Sequence, residues 1–125
     1  MTERTEFEQK LAAMKPRVPI DRQLAHVKRW LEGRQHRIFG IAEVDPEDGW
    51  VAVVDRFDTR APVIAVVRTL LDALIRDEIG ADVETTIAEW TRRHFIANPN
   101  RVMKIGGAEH NCCAFHIGAF LGSNT

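Results

Sequence analysis

Two strand-like runs joined by turn-forming residues constrain this chain most. His36 to Val44 is rich in strand formers, Asp45-Pro46-Glu47-Asp48-Gly49 is turn chemistry, and Trp50 to Phe57 is strand-like again. The pattern predicts an antiparallel β-hairpin closed by that loop. Ile38, Ala42 and Val44 share one face of the first strand, and Trp50, Ala52 and Val54 share one face of the second. A lone hairpin is weak in water, so other elements must cover it.

The remaining sequence supplies mostly helices. Phe7, Leu11 and Met14 line one face of a short helix over residues 3–14, which Pro16 and Pro19 interrupt. A second helix is predicted from Asp21, its cap, to Gly33. Its apolar stripe is Ile20, Leu24, Val27 and Leu31, with Trp30 beside it. A third starts near Pro62, capped by Asp58 or Thr59, and ends at Gly80. Its wide apolar face runs from Val63 through Val66, Val67, Leu70, Leu71 and Leu74 to Ile75, and marks it as the centre of the core. Arg68, Asp72, Arg76 and Asp77 form its wet side. A fourth runs from the Asp82 cap to about Ala97, with Ile87, Trp90 and His94 facing inward. In the tail, Arg101 to Ile105 suits a short strand and Gly106-Gly107 is a break. Residues 108–121 fit a helix and a strand equally. The expected fold is therefore α+β. One small domain spans residues 1–125, with residues 1–19 as an N-terminal helical arm. About four helices cover the hairpin, which a C-terminal strand extends if the tail pairs with it.

Composition agrees with one ordinary globular domain, because 45% of the 125 residues are hydrophobic and 28% are charged. The net charge of −1 hides a split. Residues 1–37 carry nine Lys/Arg against five acids, and the remainder carries eight against thirteen. A basic segment beside an acidic body points to an anionic partner for the former. The two cysteines, Cys112 and Cys113, are adjacent and close no useful disulfide loop, which suits a reducing compartment. The charged start has no apolar core of a signal peptide, and the longest apolar stretch, Pro62 to Val67, is too short to span a bilayer. The expectation is a soluble, cytoplasmic protein with no membrane partner.

Reactive side chains are densest in Glu109-His110-Asn111-Cys112-Cys113-Ala114-Phe115-His116. Imidazole and thiolate are the ligands zinc prefers. On a strand, His110, Cys112 and His116 point the same way; on a helix, Cys112 and His116 share a face. His94 could supply a further metal ligand, or serve as a base for a cysteine nucleophile. The competing reading makes the segment a packed, apolar tail. Asp55 and Asp58 suit acid–base work or a hard cation, or else a helix cap and a surface ion pair.

Residues 10–37 carry eight Lys/Arg and two acids, interleaved with Trp30, His26 and His36. Here Arg22, Lys28, Arg29, Trp30 and Arg34 are the candidate contact residues. No dinucleotide, P-loop, zincin, hydrolase-elbow or EF-hand motif is present, and there is no Tyr. The leading reading is a small non-enzymatic binding or regulatory module acting on a protein partner or a second copy of itself, with no cofactor. The alternative is a zinc or iron protein, or a cysteine-dependent enzyme, built on the C-terminal His/Cys cluster. Nucleic-acid contact through residues 10–37 is the weakest of the three, because no recognition motif accompanies the charge.

Overall fold

The computed structural model describes residues 17–55 and 62–121. The expected helix over 3–14 and the Asp58/Thr59 cap lie outside the described residues.

Helix α1 (Ile20–Glu32) follows the apolar stripe and buries Gln23, Val27 and Leu31. It starts one residue before Asp21, with Pro19 at the cap position and Asp21 in the first turn. A carboxylate there still favours the positive helix end. A single 3₁₀ turn, Gln35–Arg37, leads into β1 (Ile38–Phe39).

The expected hairpin does not form. β1 pairs in parallel with β2 (Ala52–Asp55), Ile38 opposite Ala52 and Phe39 opposite Val53. The chain turns away directly after Phe39. The amides of Ile41 and Ala42 both donate to the Ile38 carbonyl, and Gly40 takes a φ of +102°. Those donors are lost to any longer strand, and a glycine meets the left-handed turn at little cost. Residues 41–50 then loop round, so β2 enters beside β1 in the same direction.

β2 instead forms an antiparallel pair with β3 (Val63–Val67), from Ala52 opposite Val66 to Asp55 opposite Val63. The start of the expected third helix is thus a strand. Val63-Ile64-Ala65-Val66-Val67 is buried on both faces, and β-branched side chains fit a sheet better than a helix. Helix α2 (Arg68–Leu74) begins only after it and continues as a π turn, Ile75–Ile79, that ends at Gly80 as expected.

Helix α3 (Val83–Arg92) opens on the expected cap. The Asp82 carboxylate accepts from the Thr85 amide at 3.0 Å and from its hydroxyl at 2.7 Å. It ends five residues short of Ala97, because β4 (Ile96–Ile105) follows. β4 pairs antiparallel with β5 (Ala108–His116). Gly106 and Gly107, at φ of +61° and +90°, make the two-residue turn that suits twisted strands. Both tail alternatives are present in sequence: strand β5, then a short helix α4 (Ile117–Leu121).

The result is a mixed α+β fold with four helices among the described residues. The five strands lie in the order β1-β2-β3-β5-β4, all pairs antiparallel except β1 with β2. The main core packs Ile64, Val66, Cys113 and Phe115 against Val27, Leu71, Ile75, Ile87 and Trp90 from the helices. The opposite sheet face carries a second buried cluster that includes Val53, Ala65, Val67, Ile105, Cys112 and Ala114.

Candidate functional site

Helix α1 places the contact residues that the sequence suggested. Arg22 and Arg29 are two turns apart on one exposed side, and Lys28 is half-buried next to them. Among the described residues, no ion pair holds Arg22, Lys28 or Arg29. Trp30 and Arg34 form one unit. The Arg34 guanidinium carbon sits 4.5 Å from the Trp30 ring centroid, and Nη1 donates to the Trp30 carbonyl at 3.1 Å. A cation just past the helix C-terminus also meets the negative end of the helix dipole.

This unit forms one wall of a cleft of about 250 Å³ between α1 and α2. Just before α1 the amides of Arg17 and Val18 donate to the Ile79 carbonyl, within α1 His26 Nε2 lies 3.1 Å from Glu78 Oε1, and beyond it Arg37 connects through Val51 to Val67. Moving forward along α1 therefore means moving backward along α2, and the two helices run antiparallel. Arg37 belongs to the Leu70 end. Its carbonyl accepts from Val51, whose own carbonyl accepts from Val67, three residues before Leu70. The Arg37 side chain is braced by bonds to the carbonyls of Gly49 at 2.9 Å and Asp48 at 2.8 Å. Asp77 and Glu78 close the other end. The separation along the helix from Leu70 to Asp77 is roughly 10 Å. The cleft thus has a cationic end, an anionic end and a floor of Val51, Leu70, Ala73 and Leu74.

The C-terminal cluster is arranged differently. His110, Cys112 and His116 do share a face of β5, as expected for a strand. Cys112 and His116 are four residues apart, however, roughly 13 Å along a strand. Both cysteines are fully buried. Burial pushes the Cys112 thiol up to about 11. Cys113 rises to about 12, again through burial first, with Arg68 opposing and Asp72 and Cys112 adding to it. Such thiols carry almost no thiolate at neutral pH. Among the described residues, no group of three or more His, Cys, Asp or Glu side chains could hold a metal ion.

His94 is not on the inner side of a helix. It is exposed, at φ of +63°, just beyond the end of α3. Its amide donates to the Thr91 carbonyl, and the Phe95 amide donates to the Trp90 carbonyl. These two bonds make a Schellman cap with His94 in the left-handed position that glycine usually takes. The next residue's carbonyl, that of Phe95, accepts from the His116 amide at 3.0 Å. The backbone brings His94 towards the tail without assembling a ligand set. Since a Cβ in this conformation costs about 1 kcal/mol or more, His94→Gly should raise the urea midpoint. An unchanged or lower midpoint would deny His94 this strained capping role.

Other polar residues carry structural duties that the sequence did not signal. Arg68 is buried rather than on a wet face. Its Nε donates to Asp72 Oδ1 at 3.0 Å, and its Nη1 to the Pro99 carbonyl at 2.9 Å and Asn100 Oδ1 at 2.7 Å. It fastens α2 to β4. Asp55 pairs with Arg101 at 2.9 Å across the sheet, while Arg56, Asp58 and Arg60 lie outside the described residues. Only the i,i+4 spacing of Arg68 and Asp72 hinted at any of this.

No protein-family model matches this chain, and no curated protein is significantly similar to it. Among the described residues, no helix is long and apolar enough to cross a membrane.

Proposed function

We propose that this protein is a small binding module whose α1 face docks on an acidic partner protein. The observation that supports this most is that Arg22, Lys28 and Arg29 have no ion-pair partner among the described residues. At the end of α3, by contrast, Arg92 and Arg93 both hold Glu89. Charges left unpaired on one helix, beside a Trp-Arg stack that is already ordered, can meet a partner with little side-chain entropy to lose. The buried, protonated thiols favour this reading over cysteine chemistry.

The test replaces Arg22, Lys28, Arg29 and Arg34 together with alanine. Each exposed ion pair contributes on the order of 0.2–1 kcal/mol, so the loss of four should lower affinity at least about fourfold while the fold is kept. Wild type and variant are immobilised and challenged with nuclease-treated lysate, and each captured protein is then titrated in purified form. Equal affinity of both forms for every partner would overturn the proposal. Recovery that disappears on nuclease treatment would move the function to nucleic acid.

A further inference from the structure

The cleft between α1 and α2 has a charge layout that the partner surface does not explain. Arg34 and Arg37 stand at one end, Asp77 and Glu78 at the other, and apolar side chains floor the space between them. Both guanidiniums are held in place yet keep donors to spare. Arg34 donates one N–H to the Trp30 carbonyl, and Arg37 uses Nε and Nη2 on Gly49 and Asp48. A guanidinium has five N–H donors, so each can still bind a carboxylate. At the far end, Glu78 is shared with His26. Arg17 bonds the Asp77 backbone carbonyl, at 2.8 Å. The Asp77 carboxylate is exposed and has no ion pair among the described residues.

A singly charged ligand would meet attraction at one end and repulsion at the other. A neutral one would leave both ends desolvated without compensation. The layout favours a molecule with an anion and a cation separated by an apolar body. We propose that the cleft binds a small free zwitterion of the ω-amino carboxylic acid class. Its carboxylate lies between Arg34 and Arg37, its methylenes cover Leu70 and Leu74 against the Trp30 ring, and its ammonium reaches Asp77. Trp30 gives the chain a flat wall, and the cleft of about 250 Å³ suits a ligand of this size. The proposal concerns the cleft and stands whether or not the α1 face carries a partner.

The experiment is an NMR titration of the whole protein with 6-aminohexanoate, following the indole N–H of Trp30. Hexanoate and hexylamine, each with one of the two charges, are the controls. Saturable binding of the zwitterion is expected, with each control weaker by up to about fivefold for the loss of one exposed ion pair. Asp77→Asn, an exposed change that leaves folding intact, should bring the affinity for 6-aminohexanoate down towards that for hexanoate. No saturable shift at Trp30, equal affinity for all three compounds, or full binding by Asp77→Asn would each overturn the proposal.

Discussion

Trp90→Ala should remove about 3–5 kcal/mol of stability, the usual cost of emptying a large aromatic site in a core. Trp90 is fully buried and tilted against Phe115 with ring centroids 5.8 Å apart. It also has a polar role that the apolar pattern of α3 conceals. Its indole N–H donates to Gln23 Oε1 at 3.0 Å, and the Gln23 amide nitrogen in turn donates to the Val18 carbonyl at 3.1 Å. Gln23 is a buried amide on α1, so loss of the indole orphans an acceptor that water cannot easily reach, worth about 1–3 kcal/mol of that total. A domain of this size holds only about 5–15 kcal/mol in all. Urea unfolding of Trp90→Ala should therefore show most of the native stability gone, and Trp90→Phe should show a smaller loss dominated by the orphaned amide. A loss below about 1 kcal/mol for Trp90→Ala would mean that α1 and α3 do not meet through this pair.

The second large effect is chemical silence at the cysteines. With thiols raised from 9.0 to about 11 and about 12, the thiolate fraction at neutral pH falls by about a hundredfold for Cys112 and more for Cys113. Burial slows attack further. A chromogenic disulfide reagent should therefore react with neither cysteine on the native protein in the time that an unfolded sample needs for completion. The same shifts set an alkaline limit on stability. The folded state keeps its thiol protons more tightly than the unfolded one, so the contribution is complete below pH 9. It is lost as pH rises from about 9 through about 11 and 12. The urea midpoint should decline across that window, and Cys112→Ala/Cys113→Ala should decline less steeply. A native cysteine that reacts as fast as a free thiol would restore the nucleophile reading.

Local signals were legible where one residue type decides the outcome. Asp82 capped α3, Gly80 ended α2's π turn, and Gly106-Gly107 turned the chain. The stripe of Leu24, Val27 and Leu31 marked α1 correctly. What failed was the assignment of period in runs buried on both sides. Val63 to Val67 has no polar face to reveal alternation, and its apolar positions merge with those of α2 into what looks like one long helix. The tail was ambiguous for a related reason: β5 has Cys113 and Phe115 in one cluster and Cys112 and Ala114 in the other. The expected hairpin failed on partner choice. Both runs contain strand residues, but pairing depends on Gly40 and on the Ile38 carbonyl, which no periodicity encodes.

The site was legible in part. Charge density singled out Arg22, Lys28, Arg29, Trp30 and Arg34, and the structure sets them on or just beyond α1, with Trp30 and Arg34 also walling the cleft. Asp77 was readable only as part of a wet face and Glu78 was not singled out, since their place opposite Arg34 and Arg37 arises from the antiparallel packing of two helices. The His/Cys cluster attracted attention by composition alone. Its spacing along β5 spreads the side chains instead of gathering them.

Zero-length carbodiimide cross-linking of the protein to a captured and purified partner tests the docking face most directly. The reagent joins a lysine amine to a carboxylate in contact with it, and the described residues contain two lysines, Lys28 on α1 and Lys104 on β4. Cross-links from Lys28 to acidic residues of the partner, with Lys104 unmodified, are the predicted result. Cross-links that run from Lys104 and spare Lys28 would place the interface on the sheet edge and contradict a docking role for α1.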